Sequence, residues 1–283
     1  MAIEDLRDLY KARRLDEAWA LYLGTPGDAE WHLYGALVAW TRQENQDLYA
    51  ARIAVERAFQ FEPTAGVRVR CHFVYGMIVR EIGDLRLATE QLETCLRLLP
   101  VTPELLPVLK GPALYNLAMA YGDWGLQEKS LVLFESAATE FLRENLSDYL
   151  RRTLQNLAWI ALDFNQLDRA IQAIGEAEPL CDTEDAQHKQ IVLQAYLCEK
   201  QGQYSEALLL CERIRNAAEI ANDTLAFAAT VAARVLLQRG FPEQARTVAD
   251  IAITLSLKKP HDHRIMRRAN AVYFLARNAR VGG

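Results

Sequence analysis

"YNLAMAYGDWG", residues 115–125, is followed forty residues on by "QNLAWIALDFN", residues 155–165. Each carries Asn-Leu-Ala at the same point, Asn116-Leu117-Ala118 and Asn156-Leu157-Ala158. Each also ends on a residue, Gly125 or Asn165, that accepts the left-handed backbone closing a helix. Leu and Ala recurring in this way read as packing positions of a repeated helix. Asn does not, because it is a mediocre helix former that prefers caps and turns. The pair raises two questions: how far the repeat runs, and what the amide does in it.

The repeat runs along most of the chain. Aligned on one small residue early in a second helix, the anchors are Ala18, Ala51, Ala88, Ser130, Ala170, Ala207 and Ala245, at intervals of 33, 37, 42, 40, 37 and 38 residues. Four positions after each anchor stands Tyr22, Val55, Leu92, Phe134, Ile174, Cys211 or Ala249. Three further on, in all but the first unit, stands Ala58, Cys95, Ala137, Ala177, Ile214 or Ala252. This i, i+4, i+7 stripe is one face of a helix. Five positions before the anchor, several units have a turn residue: Gly83, Gly125, Asn165, Gly202, Gly240. Twelve before it comes a small residue, Gly76, Ala118, Ala158, Ala195 or Ala233, which lets a first helix approach its neighbour closely. Pro63, Pro100 and Pro179 fall near unit ends, where their missing N–H costs nothing.

Each unit is thus helix, tight turn, helix, seen most clearly in the second halves "GDLRLATEQLETCLRLLP" (83–100) and "GQYSEALLLCERI" (202–214). The pattern resembles the tetratricopeptide repeat family over about residues 1–257. The resemblance is strongest in 68–100, 111–142 and 188–219, and weakest in 1–24 and in 28–63, where the turn "TRQENQD" is enlarged. Several units exceed the family's usual length of about 34 residues. Lengthened repeats of this kind are similar to those of bacterial peptide-pheromone receptors of the Rap and PlcR type, and of kinesin light chains. The chain shows no helix-turn-helix segment before the repeats and no extended N-terminal bundle, so the resemblance to those regulators is one of architecture.

The expected fold is all-α: a right-handed α-solenoid of about six or seven tetratricopeptide-like hairpins plus a C-terminal capping helix. Residues 1–259 form the solenoid, and 260–283 the capping helix and a short tail. "VTPELLPVLKGP" (101–112), with Pro103, Pro107 and Pro112, is expected to bulge from the stack or act as a hinge. In the last helix, Ile265, Ala269, Val272 and Ala276 make an apolar stripe that closes the stack.

Bulk properties narrow the function. Apolar residues make up 51% and charged residues 24% of 283, with only 14 Gly and 9 Pro, a composition that favours packed helices. The net charge of −5 gives no general attraction to nucleic acid or anionic lipid. Residues 258–283 carry seven basic residues (Lys258, Lys259, Arg264, Arg267, Arg268, Arg277, Arg280) against Asp262, hence +6, which leaves −11 for 1–257. That basic helix could touch nucleic acid or an acidic partner, or could simply be a solvated cap on an acidic body. Five scattered cysteines (Cys71, Cys95, Cys181, Cys198, Cys211) without a C-x-x-C point to reduced thiols in a cytoplasmic protein rather than to a disulfide framework or zinc site. The N-terminus lacks the features of a signal peptide, and no stretch reaches the roughly 18 apolar residues of a membrane span.

In the family, first helices line the concave side, where ligands bind. Their positions not used for packing form a column. Arg70, Phe73, Met77 and Arg80 are followed by Tyr115, Asn116, Met119 and Asp123. Next come Arg152, Gln155, Asn156, Trp159 and Asp163, then Lys189, Tyr196 and Lys200, then Arg234. Aromatics, amides and Arg replace the Glu and Lys of an ordinary solvated face, as in a recognition surface. Met77 and Met119 suit packing better than binding. The remaining members, with Asp163 left aside, are the expected peptide-binding groove. Asn116 and Asn156 either hold a ligand backbone or bridge helices, and Trp159 and Tyr196 either face the groove or lie between units. The carboxylate clamp of chaperone-binding relatives is absent: Tyr115 and Met119 stand where Lys and Asn are needed, and Leu193 follows Lys189.

No catalytic motif, phosphate loop or calcium loop is present, and His261 and His263 beside Asp262 make a poor metal pair. Neither enzymatic activity, a metal nor a cofactor is expected. The leading expectation is a protein-interaction module that binds a peptide or extended segment. The alternatives are a peptide-responsive sensor whose superhelix changes shape, and an assembly scaffold that dimerises through a terminal helix. Protein or peptide partners are expected, without membrane or nucleic acid.

Overall fold

The computed structural model describes residues 2–42, 47–257 and 263–279. The enlarged turn at 43–46, the segment Lys258, Lys259, Pro260, His261 and Asp262, and Arg280 lie outside the described residues, as do the side chains of His263 and Arg264. Among the described residues there are fifteen α-helices and no strand. They group into two compact units, Met1–Glu144 and Asn145–Gly283.

The first unit holds four hairpins. They are α1 (Ala2–Lys11) with α2 (Leu15–Gly24), α3 (Ala29–Arg42) with α4 (Asp47–Gln60), α5 (Ala65–Ile82) with α6 (Leu85–Leu98), and α7 (Leu106–Trp124) with α8 (Gln127–Arg143). The second holds three: α9 (Ser147–Asp163) with α10 (Leu167–Ala177), α11 (Glu184–Lys200) with α12 (Tyr204–Asn216), and α13 (Asn222–Gln238) with α14 (Pro242–Leu257). The capping helix α15 (His263–Asn278) packs on α13 and α14. Within each unit, second helices pack on the first helix that follows, and successive first helices touch, as in α9, α11 and α13.

Burial follows the sequence repeat. All seven anchors, from Ala18 to Ala245, are fully buried, as is every residue seven positions after an anchor from Ala58 to Ala252. The small residues of the first helices face these anchors. Ser130, the one polar anchor, donates its hydroxyl to the carbonyl of Ala118 at 2.8 Å. A Cβ on Gly76 would come within 2.6 Å of Leu92 Cγ and 3.3 Å of the Ala88 carbonyl, so Gly76 sets how closely α5 and α6 approach.

Every turn residue named from the repeat is left-handed: Gly83, Gly125, Gly202 and Gly240 at φ 77–99°, Asn165 at φ 59°. In each case the next N–H reaches back five residues, as from Asp84 to Val79 and from Gln166 to Ala161. This closes the helix with the carbonyls of its last turn satisfied.

The proline-rich segment departs from expectation. Only residues 102–105 separate a short 3₁₀ turn, Leu99–Val101, from α7. Pro107 sits in the first turn of α7, where no intrahelical donor is needed, and Pro112 is carried inside the helix. Residues 106–112 are helix rather than bulge.

Candidate functional site

Within the second unit the repeat puts one stripe of each first helix on a common face, and that face carries an interlocked polar and aromatic cluster. Asp163 closes α9, Tyr196 and Lys200 lie near the end of α11, and Arg234 lies near the end of α13. Tyr196 is fully buried. Its hydroxyl donates to Asp163 Oδ1 at 2.7 Å and accepts from Arg234 Nη1 at 2.8 Å. The Arg234 guanidinium lies 4.6 Å over the Tyr196 ring and pairs at 3.1 Å with the buried carboxylate of Glu199, which also accepts from Gln238 at 2.9 Å. A chain of bonds therefore runs from Gln238 through Glu199, Arg234 and Tyr196 to Asp163, across three successive first helices.

An aromatic layer lies beside this chain. Trp159 of α9 stacks on Phe227 of α13, with centroids 3.5 Å apart and an interplanar angle of 24°. Phe227 meets Tyr196 edge-on at 5.9 Å. From α15, the guanidinium of Arg268 lies 4.4 Å over the Trp159 ring and pairs with Asp163 Oδ2. Arginine over an indole contributes about 0.5–2 kcal/mol, more as water is excluded.

Burial and neighbouring charge tune these groups. Burial, then the Asp163 carboxylate, pushes the Tyr196 hydroxyl well above the ordinary phenol range. Burial and the positive charge of Arg234 pull the Lys200 ammonium below the usual lysine value; its Nζ lies 5.5 Å from the Tyr196 ring. Arg234 stays protonated despite its burial, held by Tyr196 and Glu199. The cluster is thus a pre-organised array of paired charges and packed rings.

Comparison with solved structures connects this architecture to known proteins. The fold is that of a tetratricopeptide-type α-solenoid. The crystal structure of NprR in complex with its cognate peptide NprX superposes with a TM-score of 0.68 at 12% identity, covering 99% of this chain and 82% of that one. A Rap protein complexed with Competence and Sporulation Factor gives 0.65 at 13% identity, with 99% and 86% covered. A tetratricopeptide repeat protein from Parabacteroides merdae gives 0.58 at 16% identity, with 89% and 93% covered. No protein-family model matches the chain, and no curated protein does.

Of the groove residues expected from sequence, the structure brings together Trp159, Tyr196, Lys200 and Arg234. Tyr196 contributes only its hydroxyl and a ring edge, because its side chain is buried between helices. Gln155 is a correction: it is buried, donating to the Ala186 carbonyl at 3.2 Å and to Gln190 at 3.4 Å, so it joins α9 to α11. Arg152 and Lys189 are paired within their own helices, to Asp148 and Asp185.

In the first unit, Arg80 approaches Asp123 at 3.8 Å across α5 and α7, and Arg70 pairs with Glu30 of α3 at 3.2 Å. Phe73 packs against Leu92 and Leu117, and Tyr115 meets Phe134 of α8 edge-on at 5.7 Å. Those two rings serve packing. Met77 and Met119 are buried, as their packing role implied.

Asn116 and Asn156 behave alike. Asn116 Nδ2 donates to the Pro112 carbonyl and Asn156 Nδ2 to the Arg152 carbonyl, both at 2.9 Å and both four residues back. Asn116 is buried and Asn156 half-buried.

Sequence reasoning missed Glu199, Phe227, Gln238 and Arg268 as members of the cluster. Phe227 stands two helical turns before Arg234 on the same stripe, which was the available signal for it. Arg268 had only its place in the basic segment.

Among the described residues, no helix is long and apolar enough to cross a membrane, and no group of three His, Cys, Asp or Glu side chains could hold a metal.

Proposed function

We propose that the chain is a protein-interaction module that binds a peptide or extended protein segment across the first-helix face of its second unit. The observation that carries this is the Trp159–Tyr196–Lys200–Arg234 cluster. It is built by three consecutive repeats and combines aromatic rings with arginine, residue types enriched in binding hot spots. The same solenoid fold is found in NprR in complex with its cognate peptide NprX and in a Rap protein complexed with Competence and Sporulation Factor. Toward the start of α9, exposed Arg152 and half-buried Asn156 extend the stripe and would meet the ligand's backbone or its carboxylates.

Binding rather than catalysis suits the chemistry of the groups. Burial pushes Cys71, Cys95 and Cys211 up to about 12, away from the thiolate. The Tyr196 hydroxyl is likewise moved away from ionisation. A cytoplasmic setting accords with five free cysteines.

The test is selection of a displayed random-peptide library on the immobilised protein. Selected peptides should bind the double variant Arg152→Ala, Asn156→Ala at least about tenfold more weakly, a loss of about 1.4 kcal/mol, with unchanged circular dichroism. Equal affinity in the folded double variant sinks the assignment.

A further inference from the structure

The contact between Arg268 and the α9 pair is out of keeping with how α15 is otherwise held. The helix docks through Ile265, Ala269, Val272 and Ala276, all buried, against α13 and α14. Arg268 stands beside that stripe. Its side chain meets α9, 105 residues away in sequence, and sets its guanidinium on Trp159 and Asp163. The contact made there joins a planar cation, an indole face and a carboxylate.

The other contacts that hold the seat do not involve Arg268. Asp163 Oδ1 is fixed by the Tyr196 hydroxyl, itself fixed by Arg234, and Oδ2 is the oxygen that takes the Arg268 guanidinium. Phe227 backs the Trp159 ring and fixes its plane. A ring face beside a pre-oriented carboxylate matches a guanidinium in shape, charge and hydrogen bonding, and suits an ammonium less well. The surrounding groups Lys200 and Arg234 are cationic, so the seat's selectivity for a cation comes from the local geometry of Trp159 and Asp163 and not from a general negative field.

We propose that α15 is an intramolecular competitor: Arg268 fills a guanidinium seat that an arginine of the bound segment takes over. The ligand class is a peptide or protein segment presenting an arginine, and its binding releases Arg268 from the first-helix face. This deepens the peptide-binding reading above and rests on it. An internal group competes at the effective concentration set by its tether, so the apparent affinity of the ligand is reduced by the fraction of molecules in which the seat is filled.

The experiment titrates N-acetyl-argininamide and N-acetyl-citrullinamide, the uncharged isostere, into the full chain by calorimetry. The Arg268→Ala variant should bind the arginine compound at least about tenfold more tightly than the unaltered chain, as expected where the seat is self-occupied in about nine molecules of ten. The citrulline compound should bind neither, and adding Asp163→Asn should abolish the gain. Equal affinity of the two chains for the arginine compound, including none for either, overturns the proposal. So does equal binding of the citrulline compound. Arg268→Gln, which keeps most of the side chain's apolar stem, is measured in parallel. Loss of helical structure in both Arg268 variants assigns the residue to stability and overturns the proposal too. The two readings fail separately. Library peptides that bind independently of residue 268 leave the peptide-binding reading standing and remove the competitor. An arginine seat in a chain that selects no peptides does the reverse.

Discussion

Asn116 and Asn156 each donate an amide proton to the carbonyl four residues back in the same helix. The amide thus satisfies itself locally, the habit that makes Asn a poor interior helix residue in general. Neither ligand contact nor helix bridging described that bond. A side chain that turns back on its own helix leaves no trace in residue spacing, so the sequence could place the amide but not aim it. Asp123 and Asp163, also forty residues apart, show the same limit from the other side. The repeat makes them equivalent, yet Asp123 meets Arg80 from the preceding first helix and Asp163 meets Tyr196 from the following one. Histidines give a residue-scale prediction. Burial holds His72 and His32 below the ordinary value of 6.5, with Arg68 and Arg97 adding to the effect at His72, Arg57 at His32, and Gln91 and Asp28 opposing it. A depressed folded value means that the unfolded chain binds more protons in that window. The associated stability is therefore present above pH 6.5 and is lost as pH falls through the folded values. Urea midpoints should be flat from about pH 8 to 6.5 and decline toward about pH 5, and the double variant His32→Gln, His72→Gln should flatten that decline. An unchanged slope would reject the assignment to these two side chains.

At the scale of the helix, the turn residues decide where each element stops. Gly202 at φ 77° has open space where a Cβ would go, so only its backbone conformation opposes a side chain. Gly202→Ala should cost about 1–2 kcal/mol, read as a lowered urea midpoint with unchanged slope. No loss would mean that α11 ends by another geometry. Asn165 at φ 59° and Arg13 at φ 58°, which close α9 and α1 in the same way, show that the closure also accepts residues other than glycine. Anchors, small partners and turn residues were all legible in the sequence, because each is fixed by local sterics that repeat with the unit. The start of α7 was not. Three prolines argue for a loop, yet Pro112 lies inside the helix. A Cβ on the adjacent Gly111 would come within 2.7 Å of Phe141 of α8. That close approach holds the first turns of α7 against its partner helix. Packing of this kind outweighs the roughly 3 kcal/mol that an interior proline costs, and it depends on a residue thirty positions away.

For the whole molecule, a stack of hairpins spreads its stability over contacts between neighbours, so damage at one end should stay near that end. The capping helix offers the test. Val272 packs against Ala233 and Ala249, with Leu237, Val248 and Tyr273 around them, and Ile265 is buried nearby. Each large apolar side chain returned to water costs about 1.5–3 kcal/mol. A chain ending at Leu257 would lose both of those side chains and expose the faces of α13 and α14 that they cover. Amide-exchange protection should collapse in α13 and α14 and persist in α5 and α6, whose core around Cys71, Ile78 and Ala88 is complete within the first unit. Protection lost uniformly from both units would instead mean that the chain unfolds as one cooperative body, and the nearest-neighbour account of its stability would fail. The same truncation removes Arg268 from Asp163. Retained protection in α9 would show that its contacts with α10 and α11 hold it once Arg268 and the packed face of α13 are lost.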